Sequence, residues 1–290
     1  MRALACGLLF VTTSLGTAQT SRPNVSERAV VAAAARYVAA YEKQFAFLIA
    51  DERYRQQQLG ADGQTVQTRR LRSELFLTYL PADNEWIAVR DVLEVDGMPV
   101  TDRQDLRALL SRSDQLRGLT GKIVAINARY NIGRVERNFN EPTLPLLLLG
   151  DRRVSRVSFD RKSVTEENGT TLVTLAFEEK DGPTLVSFRN EGPARSRGEF
   201  VVDAASGTVR RTVFRLARPG IDVRLETTYT KDARLDLWLP STFVERYESG
   251  GRVNARRGTS DLEPHEVIEC EAAYTNYRRF DVTWRIKPPY

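Results

Sequence analysis

The sequence predicts an α+β protein in which a strongly curved antiparallel sheet of about ten strands, a half-open barrel, follows a long N-terminal helix. Three observations predict it. A capped amphipathic stretch lies near the start of the chain, a strand hairpin comes next, and β-favouring runs separated by turns fill the chain from residue 154 to 286. So many antiparallel strands seldom stay flat, and we expect helices to pack on the concave side of the curled sheet.

The composition supports a globular protein and excludes several other classes. Of the 290 residues, 41% are hydrophobic and 28% are charged, which is enough apolar material for a core and argues against intrinsic disorder. Two cysteines and one histidine are too few for a zinc scaffold or a disulfide framework. The mature chain has no apolar run of the roughly 20 residues that a membrane span needs, so we expect no transmembrane segment.

Residues 1–18 have the layout of a secretory signal peptide. Arg2 gives a short positive region, residues 3–11 and Leu15 form an apolar region, and Gly16-Thr17-Ala18 supplies the small residues before a cleavage site. We therefore predict cleavage before Gln19 and a periplasmic or otherwise extracytoplasmic protein. Residues 19–290 are predicted to form a single domain.

Residues 24–58 are predicted to form the N-terminal helix. Asn24 and Glu27 have the spacing of a capping box, in which each side chain satisfies a free backbone amide. An apolar stripe at helical spacing follows, and it is built from Val30, Val31, Ala34, Val38, Tyr41, Phe45, Leu48 and Ile49. One stripe needs one partner surface, and a sheet is the natural candidate.

Residues 69–96 are predicted to form a hairpin. The first strand places Leu75 and Leu77 on one side, the turn lies at residues 81–84, and the returning strand aligns Ile87 with Val89. We expect these two pairs to form one apolar wall.

Residues 97–150 are predicted to form a mainly helical segment. Thr101 and Gln104 form a second capping box, whereas residues 118–130 are compatible with either a helix or a strand. The run from Leu144 to Leu149 is the most apolar part of the mature chain, and it is predicted to lie in the core or at the lip of a cavity.

Residues 154–286 are predicted to form an antiparallel meander. Turn dipeptides recur at intervals with little helical pattern between them, which is typical of hairpins and not of βαβ units. The turns are Asn168-Gly169, Asp181-Gly182, Ser206-Gly207, Pro219-Gly220, Lys231-Asp232 and Gly250-Gly251.

Arginine supplies most of the positive charge. The 43 basic residues are scattered along the chain among 38 acidic ones. A nucleic-acid site would concentrate them on one face with interleaved aromatic residues, so we predict solvated strand faces with cross-strand ion pairs and no nucleic-acid partner. The pattern leaves open a modest attraction to anionic lipid headgroups.

Few residues offer catalytic chemistry. Cys270 alternates with Ile268, Ala272 and Tyr274, which predicts a buried structural thiol, and His265 lies in a polar stretch typical of a surface. The sequence contains no nucleophile elbow, phosphate loop or dinucleotide fingerprint. We therefore expect a protein that is not an enzyme and has no cofactor and no metal site.

Residues 91–110 resemble the late hairpin and helix of a PDZ domain. A PDZ domain also needs a glycine-containing loop that holds a peptide carboxylate, and the chain has no glycine between Gly63 and Gly97. A strand, an Asp-Gly turn and a capped helix explain the same residues, so PDZ-like peptide binding is kept only as an alternative.

The whole-chain order resembles the outer-membrane lipoprotein carrier (LolA-like) superfamily. The resemblance rests on the exported chain, the helix, the hairpin and the meander, and locally on residues 203–209 and on Tyr229 followed by Leu237-Trp238-Leu239-Pro240. It implies a helix before a strongly bent antiparallel sheet, with further helices plugging a concave side that holds acyl chains.

Our leading hypothesis is a non-enzymatic exported protein that binds a lipid or acyl chain against the concave face. The residues expected to line that site are Leu75, Leu77, Ile87, Val89, Leu146, Leu147, Leu149, Phe177, Phe214 and Trp238. The contrasting hypothesis is an extracytoplasmic interaction module with a filled core that docks an envelope protein partner by its surface.

Overall fold

The computed structural model describes most of the chain from residue 25 onward. The described residues are 25–44, 48–80, 85–103, 106, 125–135, 137, 140–188, 192–250 and 265–279. The predicted signal peptide at residues 1–18 and the predicted strand at residues 280–286 lie outside them.

Most of the described residues belong to one open antiparallel sheet of eleven strands. Its strands are β1 (Leu48–Leu59), β2 (Thr65–Leu80), β3 (Glu85–Val95), β4 (Met98–Pro99), β5 (Val157–Glu167), β6 (Thr170–Glu179), β9 (Ser196–Asp203), β10 (Val209–Arg218), β11 (Ile221–Asp232), β12 (Leu237–Ser249) and β13 (Glu266–Arg279), with β7 (Val186–Phe188) and β8 (Gly192–Ala194) forming a separate small hairpin.

The strand order places the first strand beside the last described strand. It runs β4-β3-β2-β1-β13-β12-β11-β10-β9-β6-β5, so β1 lies between β2 and the last described strand. Asp51, for example, faces Glu74 of β2 on one side and Thr275 of β13 on the other. The predicted hairpin at residues 69–96 is confirmed as β2 and β3, and most of the predicted meander is confirmed as β5 to β13.

The prediction of one helix over residues 24–58 is wrong in its second half. Helix α1 spans Glu27–Gln44, and residues 48–59 form strand β1. The helical stripe holds only as far as Tyr41, while Glu52, Tyr54 and Gln56 are buried on alternate positions of the strand. In residues 50–56 the buried side chains alternate with more exposed ones, a pattern that fits a strand paired on both sides and does not fit one stripe of a helix.

Helix α1 packs on the sheet by its apolar stripe. Val30, Ala34, Val38 and Tyr41 belong to the same core cluster as one face of the sheet. At the β9–β10 turn, Gly207 lies so close to the helix that a Cβ atom built there would be 2.2 Å from the carbonyl oxygen of Ala33. The missing side chain of this glycine thus allows the turn and the helix to meet.

The segment 97–150 contains less helix than predicted among its described residues. Met98–Pro99 forms β4, residues 125–128 form one helical turn, and Leu144–Leu148 forms a 3₁₀ helix. The choice left open for residues 118–130 is therefore resolved as helix for 125–128 only, and residues 118–124 lie outside the described ranges.

Most of the predicted turns of the meander lie where the sequence places them. Asn168 and Gly169 have φ values of 50° and 76°, and Gly207 and Gly220 also have positive φ. The predicted turn at Lys231-Asp232 is wrong by a few residues, because both belong to β11 and the reversal occurs at residues 233–236.

The two faces of the sheet differ in chemistry. One face carries the hydrophobic core, and we call it the inner face; the opposite, outer face carries cross-strand ion pairs such as Arg55 with Glu271 and Arg211 with Glu226. The prediction of solvated strand faces with such pairs is confirmed. Among the residues described, no helix combines the length and apolarity that a membrane span requires.

Candidate ligand-binding face

The structure brings seven of the ten predicted site residues into one core cluster. Leu75 and Leu77 of β2, Phe177 of β6 and Phe214 of β10 lie on the inner face. Leu146, Leu147 and Leu149 lie in the same cluster. An eighth residue, Trp238, is half-buried and packs against the cluster, with the Arg210 guanidinium carbon 3.5 Å from its ring centroid.

The two remaining site residues lie on the other side of the sheet. In the β2–β3 register Leu77 faces Ala88, whereas Val89 faces Phe76 and Ile87 faces Thr78. Directly opposed residues share a face, so Ile87 and Val89 lie opposite to Leu75 and Leu77. The prediction that these four residues form one apolar wall is therefore wrong. The register places Leu75 opposite Arg90 and Leu77 opposite Ala88, so Ile87 and Val89 point to the other face.

Helix α1 and residues 140–149, which contain the leucine run, lie against the inner face, and we call these two segments the cover. Every residue from Leu144 to Leu149 is buried, and the five leucines all belong to the core cluster. The carbonyl oxygen of Pro142 accepts hydrogen bonds from the Thr227 hydroxyl (2.8 Å) and the Tyr229 hydroxyl (3.0 Å), both on β11. Two inner-face side chains thus fix where the leucine run enters the core.

Under the cover, the half of the inner face built by β6, β9, β10 and β11 is mainly apolar, and its buried polar residues include Glu179, Ser196, Thr212 and Thr227. Phe177, Gly198, Phe214 and Leu225 occupy one row across these four strands. The ring of Phe177 lies over Gly198, where a Cβ atom would be 2.8 Å from it, and the ring centroids of Phe177 and Phe200 are 4.9 Å apart. We call this part of the sheet the apolar half.

The half built by β1, β2, β3, β12 and β13 carries buried polar groups that the sequence did not identify as a site. Arg90 is 4% exposed and forms two hydrogen bonds with Glu52, which is 0% exposed, at 2.5 and 2.8 Å. The Arg90 guanidinium also lies 4.4 Å from the ring centroid of Tyr54. Burial of an ion pair is tolerated when it is this well paired.

A second carboxylate continues this arrangement. Glu245 accepts hydrogen bonds from Tyr54 (2.8 Å) and from Tyr247 (2.5 Å), and all three residues are fully buried. Burial raises the pKa of Glu245, and the nearby Arg137 opposes that shift. The two tyrosines therefore donate to a carboxyl group whose charged form is disfavoured by its surroundings.

Arg137 links the polar groups to a loop. Its guanidinium donates to the Gln56 side-chain oxygen (2.6 Å), to the Ile132 carbonyl oxygen (3.2 Å) and to the Cys270 sulfur (2.8 Å). Gln56 also donates to the Tyr130 carbonyl oxygen at 3.0 Å. We call Glu52, Arg90, Tyr54, Glu245, Tyr247, Gln56 and Arg137 the polar belt.

The prediction for Cys270 is confirmed in its placement. Its side chain is buried on the same face as Ile268, Ala272 and Tyr274, and burial raises its pKa to about 12. A thiol with that pKa is protonated at neutral pH and is a poor nucleophile. His265 is exposed and lies 3.0 Å from the Glu248 carboxylate, as expected of a surface histidine.

The sequence signal for the polar belt is a two-residue spacing of its members within a strand. Glu52, Tyr54 and Gln56 occupy every second position of β1, and Phe243, Glu245 and Tyr247 do the same in β12. Polar side chains are normally predicted to face water, and only the pairing of β1 with β13 shows that these face the core.

The PDZ-like stretch forms the end of β3 and its turn. Asp96 and Gly97 have φ values of 52° and 85°, and residues 98–99 form the short β4. Beside it, the Asn127 side chain accepts from the Arg90 backbone amide and donates to the Ala88 carbonyl oxygen. These are edge groups that an added peptide strand would use, and they are already paired.

No group of three or more candidate metal ligands occurs among the described residues. No protein-family model matches the chain, and no curated protein matches it.

The comparison with solved structures gives matches of low similarity. One is an outer-membrane lipoprotein-sorting protein domain from Vibrio parahaemolyticus, with 11% identity, a TM-score of 0.35, and coverage of 84% of this chain and 90% of that one. Another is a DUF1329 family protein from Desulfovibrio piger, with 11% identity, a TM-score of 0.32, and coverage of 88% of this chain and 94% of that one.

Proposed function

We propose that this is an exported, non-enzymatic protein that binds a lipid or acyl chain against the apolar half of the inner face. In this proposal the sheet curves around its inner face, and α1 and residues 140–149 form the cover on the concave side. The observation that carries it is the cover itself: two segments outside the sheet bury a continuous apolar surface that an acyl chain would match.

The contacts between cover and sheet are of a kind that a ligand can replace. They are mostly apolar, and such contacts have no directional requirement. Polar contacts also hold the cover: the two bonds to Pro142, the Arg161 backbone amide donating to Glu27 of α1 at 3.0 Å, and the Arg279 guanidinium donating to the Gln44 carbonyl oxygen at 3.2 Å. Glu42 of α1 is in addition hydrogen-bonded to Tyr79 of β2. The strands keep their own backbone pairing whether or not the cover is in place.

The polar belt sets the limit of the proposed site. Its groups are already paired with each other, so an acyl chain that reached them would break these bonds without replacing them. The ligand chain therefore lies over β6 to β11 and ends where the belt begins.

The test is binding of a dansyl-labelled long-chain fatty acid to the mature protein and to Leu147→Trp. Leu147 is 4% exposed in the cover, and a larger side chain there fills the space that the acyl chain takes. We expect at least a tenfold weaker affinity, a factor worth about 1.4 kcal/mol. Overpacking itself costs typically about 1–3 kcal/mol of stability, so thermal unfolding is measured alongside.

The matched control is Val244→Trp, because Val244 is 46% exposed on the outer face. Its affinity should equal that of the wild type. Leu147→Ala makes room in the core and should keep or improve binding. No binding by the wild type, or equal binding by Leu147→Trp, would contradict the proposal.

The second candidate is an interaction module with a filled core. The observation that favours it is the near-complete burial of Leu146, Leu147 and Leu148 in this structure. Mass spectrometry of the protein purified from its own host distinguishes the two, since a retained lipid adds mass and a filled core adds none.

A further inference from the structure

Four arginines lie in one row on the outer face. Arg246 of β12 is directly opposite Arg224 of β11, and Arg224 is directly opposite Arg215 of β10. Arg215 is in turn directly opposite Arg197 of β9. Neighbouring strands are about 4.8 Å apart, so this arginine row spans about 14 Å.

Such a row is unfavourable for the sheet alone, because like charges directly opposite each other destabilise strand pairing. Two of its members are neutralised: Arg224 pairs with Glu226 at 2.5 Å, and Arg246 pairs with Glu248 at 3.4 Å and also with Glu269. Arg197 and Arg215 are exposed, and neither forms an ion pair within 4 Å with the residues that the structure describes, although Glu178 of β6 is directly opposite Arg197.

The same face carries a second group, the arginine block, on β1 and β2. Arg53 is directly opposite Arg72, and Arg55 is directly opposite Arg70. Arg72 pairs with Glu94 and Arg55 pairs with Glu271. Within the described ranges, the guanidinium groups of Arg53 and Arg70 form no ion pair.

The block surrounds a depression of about 380 Å³ that is also lined by Gly97, Ala273 and the carboxylates of Glu94 and Glu271, which pair with Arg72 and Arg55. Gly97 has no side chain and Ala273 has only a methyl group, so the space between the guanidinium groups stays open. The depression is a place where a phosphate group can approach more than one arginine.

We propose that the outer face docks on the surface of a membrane that contains anionic lipids. Guanidinium groups bind phosphate oxygens in a bidentate manner, and four of those described here have no carboxylate partner to lose. Two separate arginine groups on the same face can contact several lipid headgroups, whereas a single small anion would reach only one group. Val244, 46% exposed on the same face, adds an apolar side chain that enters the interface.

This docking uses the face opposite the proposed acyl-chain site, and it does not depend on that site. Acyl-chain binding is measured with the soluble fatty acid probe, and docking is measured with vesicles. Failure of one proposal is therefore visible separately from failure of the other.

The experiment is sedimentation of the mature protein with phosphatidylcholine vesicles that contain phosphatidylglycerol, and with vesicles of phosphatidylcholine alone. The test variant is Arg197→Gln/Arg215→Gln, which removes the two unpaired charges of the row. We expect the wild type to bind only the anionic vesicles. Each basic group near an anionic surface changes the binding constant about fivefold, so the double variant should bind roughly 25-fold more weakly.

The matched control is Arg28→Gln/Arg36→Gln, because both arginines are exposed on α1 and the change in net charge is the same. This control should bind within about twofold of the wild type. The row variant should also unfold at the same or a higher temperature, since it relieves like-charge pairing.

Equal losses in the two double variants would overturn the proposal, because net charge alone would then explain the binding. Binding to neutral vesicles at the same strength would overturn it too. So would an absence of vesicle binding together with arginine-dependent binding of heparin, which would indicate a soluble polyanion.

Discussion

At the residue scale, the polar belt contains two buried glutamates with different hydrogen-bond partners. Glu52 is bound to the Arg90 guanidinium, while Glu245 is held by two tyrosine hydroxyls. Removing one partner from a buried ion pair leaves an uncompensated charge and typically costs about 3–5 kcal/mol. A carboxyl group with hydroxyl partners has no such strict need for its charge.

This contrast gives a pH-dependent prediction for Glu245→Gln. Burial raises the pKa of Glu245 in the folded protein above its value in the unfolded chain. The stability it contributes is thus complete at a pH below the ordinary carboxyl pKa and falls as the pH rises toward the folded pKa. Glutamine mimics the protonated form, so the variant should gain stability relative to the wild type as the pH rises from about 4.5.

Urea denaturation of both proteins at several pH values measures this difference. Glu52→Gln serves as the comparison and should be less stable at every pH, because Arg90 remains buried without its partner. A difference between Glu245→Gln and the wild type that stays constant with pH would contradict the assignment of a raised pKa.

At the element scale, the meeting of α1 with the β9–β10 turn depends on Gly207. Gly207 has a φ of 77°, and a Cβ atom there would be 2.2 Å from the backbone of Ala33. Gly169, in the β5–β6 turn, has nearly the same φ of 76°, and nothing lies within 4 Å of its Cβ position. A comparison of substitutions at the two glycines therefore separates the cost of the positive φ from the cost of the steric contact with α1.

We predict that Gly169→Ala loses about 1–2 kcal/mol, the cost of a left-handed conformation. Gly207→Ala should lose a further 1–3 kcal/mol or so, because the added methyl group forces α1 away from the turn. Thermal or urea unfolding measures both. If α1 covers the ligand site, Gly207→Ala should also accelerate association of the fatty acid probe, whereas equal stability losses in the two variants would contradict the close contact.

The same scale shows what the sequence can predict. The stripe from Val30 to Tyr41 is a local signal, and it predicts the position of α1 because one helix face is buried against one surface. The predicted capping box is not tested, because Asn24 lies outside the described residues and α1 begins at Glu27. The turn glycines predict the hairpins of the meander for the same local reason.

What the sequence did not predict depends on distant pairing. Strand β1 is set by β13, which lies more than 200 residues further along the chain, as in the Arg55–Glu271 pair with a separation of 216. The apolar site residues could be predicted from hydrophobicity, but Glu52 and Glu245 could not, since only their partners make burial tolerable. The facing of Ile87 and Val89 similarly follows from the register of β2 with β3.

At the scale of the whole molecule, β1–β13 pairing joins strands β1–β4 and strands β5, β6 and β9–β13 into one sheet. Among the described strands, β1 to β4 are joined to the rest of the large sheet only by the pairing of β1 with β13. The polar belt crosses the same junction, because Tyr54 of β1 donates to Glu245 of β12. Long-range pairing of this kind couples the parts it joins, because neither part buries its inner face alone.

We therefore predict that both parts unfold in a single transition. Trp86 of β3 and Trp238 of β12 lie on opposite sides of the junction, and both contact the core. In variants that keep only one tryptophan, with the others replaced by phenylalanine, the urea midpoint from fluorescence should coincide with that from far-ultraviolet circular dichroism. An earlier fluorescence midpoint for the variant that keeps Trp86 would show that β1–β4 detach first, and the sheet would then be two units joined by a weak seam.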